Sequence, residues 1–161
     1  MSPNAPARRP WRRWLQSTSN RSFVVWPIVL LLLQAALDAG MPRLHLWALP
    51  LLAWGYGQYR WMGTQRARQG GGGPGLSKPP ERLVITGLYG LTRNPMYLGH
   101  LIFFLGLALL LPAGVGWPVF LFHAWWFDRR VRADEASLLA RFGAPYAAYL
   151  LRVKRWLPGL L

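Results

Sequence analysis

Residues 97–127 read YLGHLIFFLGLALLLPAGVGWPVFLFHAWWF, two uncharged apolar runs around Pro112-Ala113-Gly114. This stretch decides the fold. Proline and glycine together interrupt a helix and supply a tight turn, so residues 97–111 and 115–127 predict an antiparallel helical hairpin. Two further uncharged runs, 23–37 and 44–59, precede it. Each run is shorter than the roughly 20 residues that cross a bilayer core. Flanking Trp61, Met62 and Leu91 would extend them, and the hairpin fits either a full crossing or a shallow re-entrant loop. No internal repeat is present.

Composition agrees with the apolar pattern. Of 161 residues, 53% are hydrophobic, yet the net charge is +14. A soluble chain this basic would point to nucleic acid. Here the basic residues lie between the apolar runs, which points to a membrane and to no nucleic-acid partner. With four crossings, 18 of the 19 Lys and Arg fall on one side and only Arg43 on the other. By the positive-inside rule the crowded side is cytoplasmic, with both termini there. An odd number of crossings would spoil this partition. The expectation is an all-α integral membrane bundle of about four transmembrane helices with a C-terminal cytoplasmic helical segment, in the cell's inner (cytoplasmic) membrane. Ten Trp and six Tyr suit the headgroup level. The absence of Cys excludes disulfides, thiolate metal sites and a Cys nucleophile. Arg8, Arg9, Arg12, Arg13 and Arg21 before the first run have the charge order of a signal peptide. No A-x-A site follows, so an uncleaved first span is expected, its basic arm serving topology and anionic lipids.

The chain reads as one membrane domain over 1–161: a basic arm (1–21), two spans (22–62), a Gly/Pro-rich linker (63–82), then hairpin and tail (83–158). Gly70 to Gly73 with Pro74, Gly75, Pro79 and Pro80 predict a flexible, non-helical linker. It lacks the Lys and Ser/Thr of a phosphate-binding loop. Leu83-Val84-Ile85-Thr86 would be a short strand or extended segment. The tail over 128–151 has helical spacing, with Leu138, Phe142, Tyr146 and Tyr149 near one face. Gly143 and Pro145 should divide it into two helices. Trp156-Leu157-Pro158 would close the chain against the interface.

Polar groups beside a membrane are costly, so they mark candidate sites. One cluster, residues 87–99, enters the third run. The other, Arg129-Arg130-Val131-Arg132-Ala133-Asp134-Glu135, leaves the fourth. A hairpin would bring both to the same end. The bland readings are that Tyr89, Arg93 and Tyr97 anchor a helix at the headgroups, and that Asp134 and Glu135 open a solvated helix beside Arg129, Arg130 and Arg132. His100 and His123, inside the hairpin, would find local hydrogen bonds. His45 belongs to the far side.

Tyr89-Gly90-Leu91-Thr92-Arg93-Asn94-Pro95-Met96-Tyr97-Leu98-Gly99 resembles the G-x-Y-x-x-x-R-H-P-x-Y-x-G segment of the isoprenylcysteine carboxyl methyltransferase and phospholipid methyltransferase group. Asp134-Glu135-Ala136-Ser137-Leu138, with Phe142-Gly143-Ala144-Pro145-Tyr146 and Tyr149, resembles its E-E-x-x-L-x-x-x-F-G-x-x-Y-x-x-Y stretch. Arg152-Val153-Lys154-Arg155-Trp156-Leu157-Pro158 is similar to its terminal R-V-x-R-W-x-P. The three motifs run in order over residues 81–158, about half the chain, and the N-terminal half carries no specific match.

The resemblance implies a membrane-embedded methyltransferase that uses S-adenosylmethionine without a soluble Rossmann fold. It places Leu88, Tyr89, Gly90, Arg93, Asn94, Pro95, Tyr97 and Leu98 at the cofactor pocket. Asp134 and Glu135 would hold the cofactor's amino group or positive end, with Arg93 and Glu135 as the catalytic pair and no metal. Carboxylates and aromatic faces suit a sulfonium and an ammonium, and Arg93 or Arg132 would suit the cofactor's carboxylate. Two positions depart from the pattern: Asn94 stands for the usual His, and Asp134 for the first Glu. An imidazole role is unavailable at 94, though Asn still donates and accepts hydrogen bonds. The expected acceptor is a lipophilic or small-molecule carboxylate, thiol or amine, with membrane lipids as the other partners. Two rivals stand beside this reading. One is a reductase related to the C-terminal part of sterol reductases, which share R-x-P-x-Y; the other is a non-catalytic membrane protein with the same bundle.

Overall fold

The computed structural model describes residues 10–76 and 80–157. Arg8 and Arg9 of the basic arm, Ser77, Lys78 and Pro79 of the linker, and Pro158 of the terminal motif lie outside the described residues. Every regular element among the described residues is helical. A short α1, Pro10–Gln16, is followed by α2, Thr18–Leu37. The remaining helices are α3, Leu49–Gly70; α4, Pro95–Leu110; α5, Gly116–Phe142; and α6, Ala144–Arg152. Of these, α2 alone is both long and apolar enough to cross a membrane, and α4 is a shorter apolar helix.

Local sequence explains the breaks. Ser17 caps α2 by accepting from the Asn20 N–H. One π-helical turn, Arg21–Val25, comes just before Pro27, where the Trp26 N–H reaches back to the Arg21 carbonyl. A proline lacks the N–H of an ordinary turn, and the wider turn absorbs that loss. The turn aims Phe23 into the bundle, where its ring lies 4.6 to 5.1 Å from those of Tyr56, Tyr59, His100 and Phe103.

The closest crossing is between α3 and α4. A Cβ on Gly55 would sit 2.5 Å from the Phe103 nitrogen, and one on Gly99 would sit 2.8 Å from the Gly55 carbonyl oxygen. Only hydrogen atoms at both positions let the two backbones meet. Gln58, buried in this seam, donates to the Pro95 carbonyl at 2.9 Å and so fixes the start of α4. The Nδ1 atoms of His100 and His123 bond the carbonyls of Met96 and Val119, four residues back on their own helices. That is the local role expected of them.

The polar residues divide between two ends. At one, Gln34 accepts from the Ala113 N–H in the hairpin turn, and the His45 N–H donates to the Leu110 carbonyl. Asp38 accepts from Gln34 and from the backbone and guanidinium of Arg43, which hold its carboxyl down at about 2. The start of α2, the end of α3, Arg130 and the whole C-terminal segment gather at the other end.

Two boundaries differ from the sequence expectation. Residues 63–70, assigned to the linker, are the last two turns of α3, because Gln and Arg extend a helix without contributing to an apolar pattern. The linker starts at Gly71, whose φ of 73° ends the helix, and Arg66 binds it back by donating to the Gly73 and Gly75 carbonyls. Second, α5 is continuous for 27 residues, so Asp134 and Glu135 lie deep inside a helix rather than at the start of one. Residues 83–86 form no strand; Thr86 has extended backbone. Gly143, at φ 59°, divides α5 from α6 as expected, with Pro145 in the first turn of α6.

Gly99→Ala should lower stability by about 1–3 kcal/mol, because the clash is with backbone on both sides. Gly57→Ala, where a Cβ meets nothing within 4 Å, should leave stability unchanged or slightly raised. Thermal melts of the two variants in one detergent check this, and equal midpoints would contradict the close crossing.

Candidate functional site

Hairpin geometry brings residues about 40 apart in sequence into contact. From the start of α4, Arg93 Nε lies 2.9 Å from Glu135 Oε1 on α5. One turn along, the Tyr97 hydroxyl donates to Asp134 Oδ2 at 2.7 Å. These two adjacent carboxylates have different surroundings and hence different uses.

Glu135 is buried and fully engaged by the protein. Its Oε1 accepts from Arg93 Nε and, at 3.4 Å, from Asn94 Nδ2; its Oε2 accepts from Arg155 Nε and Nη2 at 3.1 and 2.8 Å. The hydrogen bonds to Glu135 raise the Arg155 pKa further above its ordinary value. Arg93 is occupied in turn, donating from Nη1 to the Leu150 and Val153 carbonyls at 3.0 and 2.7 Å. The terminal segment is therefore clasped to the hairpin. Further bonds add to the clasp: the Arg155 carbonyl accepts from Thr92 and Asn94, and Trp156 Nε1 donates to Asp128 at 3.1 Å. Burial opposes ionisation of Asp128, but hydrogen bonds from Arg132 and Trp156 outweigh it and its pKa falls.

Asp134, half-buried, faces a cavity of about 280 Å³. Its wall includes Tyr89, Arg93, Asn94, Pro95, Met96 and Tyr97 from the first cluster, and Arg130, Asp134, Ser137 and Leu138 from α5. Tyr146 and Tyr149 of α6 and Arg66 of α3 complete the polar part. Burial pushes the hydroxyls of Tyr89 and Tyr146 up to about 12, and raises that of Tyr149 as well. All three are neutral donors at neutral pH. Tyr149 uses its hydroxyl on the Tyr89 carbonyl at 2.6 Å, tying α6 to the Gly87–Gly90 turn.

Of the residues expected at the pocket, Tyr89, Arg93, Asn94, Pro95, Tyr97 and Asp134 line it together. Leu88 and Gly90 flank Tyr89 in its turn, and Leu98 follows Tyr97 on α4; none of the three belongs to the wall. Glu135 stands behind the wall, and Arg132 pairs with Asp128 on the outer side of α5. Sequence reasoning assigned no role to Arg155, Asp128 or Arg130. A signal for Arg155 existed in the terminal R-V-x-R-W motif, but nothing marked Arg130 out from its neighbouring arginines.

The fit to S-adenosylmethionine rests on this donor set. A carboxylate and tyrosine faces suit a sulfonium and an ammonium, and Arg66 suits a carboxylate, whereas Arg93 is already paired with Glu135. No group of metal-ligating side chains occurs among the described residues.

Residues 36–144 match the phospholipid methyltransferase family, and the chain belongs to that family. Among curated proteins, protein-S-isoprenylcysteine O-methyltransferase of Saccharomyces cerevisiae is 36% identical over 77 residues, covering 47% of this chain and 32% of that protein. The protein of the same name from Schizosaccharomyces pombe is 35% identical over 77 residues, covering 47% and 33%. The matched segment thus spans about a third of the length of each relative. No solved structure matches.

Removing one partner from a buried ion pair leaves an uncompensated charge, at a cost of about 3–5 kcal/mol. Glu135→Ala should therefore destabilise the protein by about that amount, since it strands Arg93 and Arg155. Denaturant unfolding in detergent checks this; a loss below about 1 kcal/mol would show that the clasp is dispensable.

Proposed function

We propose that the chain is a membrane methyltransferase that uses S-adenosylmethionine, bound in the 280 Å³ cavity between α4, α5 and α6. The observation that carries this reading is the wall itself: Asp134 and four tyrosines on one cavity, in a chain of the phospholipid methyltransferase family. When bound, S-adenosylmethionine supplies an electrophilic methyl group on a sulfonium. Asp134, oriented by Tyr97, holds the cationic end, and the tyrosine faces add cation–π attraction. Arg66 faces the carboxylate. Glu135 acts through its neighbours, as a positioning residue that keeps Arg93, Asn94 and the terminal segment in place. Orientation of this kind contributes up to about 7–11 kcal/mol to a bimolecular transfer. The acceptor is a lipophilic or small-molecule nucleophile, and the relatives' names, both O-methyltransferases, favour an oxygen as the attacking atom.

The bundle is read as a four-crossing protein of the cytoplasmic membrane, formed by α2, the first half of α3, α4 and the first half of α5. Its outer surface supports this. Leu32 is 66% exposed on α2, Trp54 60% on α3 and Leu121 61% on α5, an apolar exterior suited to lipid. The basic end, which holds the cavity, faces the cytoplasm.

Calorimetric titration of S-adenosylmethionine and its demethylated product into purified protein tests the function. Saturable binding is expected, weakened at least about tenfold in Asp134→Asn without a matching loss of stability. Folded protein that binds neither compound would sink the methyltransferase reading. Orientation is tested separately in this Cys-free chain, in intact cells with an impermeant thiol reagent. Ala39→Cys should react and Ala133→Cys should not; the reverse pattern would overturn the assigned topology.

A further inference from the structure

Arg21 on α2 and Arg129 on α5 stand at the basic end, where the uncharged runs of their helices stop. Each guanidinium lies over an indole: Arg21 is 5.9 Å from the centre of the Trp126 ring, and Arg129 is 5.0 Å from that of Trp125. The two tryptophans are consecutive on α5, so both arginines share the corner where α2 and α5 meet. Trp26 of α2, set edge-on against His123 of α5 with ring centres 5.7 Å apart, closes the seam beneath them. Neither guanidinium has an ion pair among the described residues. Arg130 lies 5.6 Å from the same Trp126 ring, but it also lines the first cavity beside Asp134 and is no part of this group.

The chain's five acidic side chains are all placed elsewhere. Asp38 pairs with Arg43 at the far end, Glu81 lies against Gly71 in the linker, and Asp134 and Glu135 serve the cavity and the clasp. Asp128, next to Arg129 in sequence, is held by Arg132 and Trp156. Two cations on one corner repel each other, and an anion from outside offsets that repulsion. An exposed apolar stripe runs away from each of them. Val24 and Ile28 follow Arg21 at i+3 and i+7, and Trp125 and Phe122 precede Arg129 at i−4 and i−7, so each stripe keeps to the arginine's own face of the helix.

We propose that this corner seats one anionic phospholipid of the cytoplasmic leaflet, its phosphate at Arg21 and Arg129 and its acyl chains along the two stripes. The lipid is a bound partner that bridges α2 and α5, and it is not the methyl acceptor. A basic arm attracts any anionic surface diffusely, without choosing a place for one molecule. Here the indoles hold two cations at one depth, at the level where tryptophan and arginine meet head groups. A head group with net negative charge is attracted by both. A zwitterionic head group brings an ammonium against the same two cations, and much of the attraction is lost. The inference uses the membrane placement and neither the donor cavity nor the acceptor.

The test is native mass spectrometry of the full chain in mild detergent, titrated with dioleoylphosphatidylglycerol or dioleoylphosphatidylcholine, which counts the lipids bound and gives the Kd of the first. The first phosphatidylglycerol should bind about twentyfold more tightly than the first phosphatidylcholine, about fivefold for each arginine. Arg129→Gln, at an exposed position, should remove about fivefold of that preference, and the pair Arg21→Gln with Arg129→Gln should abolish it. Arg68→Gln with Arg141→Gln takes the same charge from exposed positions at the same end and should leave the preference unchanged. All these variants should melt with the parent in lipid-free detergent. Equal binding of the two lipids, an unaltered preference without Arg21 and Arg129, or an equal loss in the control pair would each overturn the seat. S-adenosylmethionine binding should be the same in every variant, so failure of the seat and failure of the methyltransferase reading are read separately.

Discussion

The carboxylate of Glu135 is the constraint on which the functional end of this molecule depends. It is a buried negative charge in a chain with 19 basic and only five acidic residues, and it accepts from Arg93, Asn94 and Arg155. A buried charge is tolerated only when paired and hydrogen-bonded. Here the pairing ties together three segments: the start of α4, the interior of α5 and the C-terminal segment. Arg93 also donates to the carbonyls that end α6, and Tyr146 and Tyr149 of that helix line the cavity. The clasp thus holds α6 at the wall of the cavity.

The clasp in turn needs α4 held at the right height, and the glycine crossing with α3 provides that. Gly55 and Gly99 let the two backbones approach to a distance that any side chain would forbid, and the Gln58–Pro95 hydrogen bond then fixes where α4 begins. Asn94 is the residue just before that start. Its side chain is committed to Glu135 and to the Arg155 carbonyl, which gives it structural work even without an imidazole. The polar cavity thus lies at one end of a helical body whose outer surface is largely apolar.

Much of this was legible in the sequence. The uncharged runs around Pro112-Ala113-Gly114 specify a hairpin because helix periodicity and turn chemistry are local properties, and the three motifs named the family that residues 36–144 match. The break at Gly143 and the Nδ1 hydrogen bonds of His100 and His123 to carbonyls of their own helices followed from equally local rules. The end of α3 was not legible, because the polar helix formers of residues 63–70 look like linker beside a glycine run. The role of Glu135 was hidden for a different reason. Composition places it beside Asp134 as an equivalent acid, and only packing shows that one faces the cavity while the other lies behind it.

The sequence by itself determined the helical class, the hairpin, the gathering of positive charge at one end and the residues that would meet there. These depend on periodicity, turn residues and the spacing of charge, all of which are read along the chain. Only the tertiary structure decided which carboxylate faces the cavity and which one holds the clasp, and that Arg155 ties the C-terminal segment to it. Those outcomes depend on which side of each helix a residue faces when three helices and a tail converge, and on which charges have already been neutralised by partners far away in sequence.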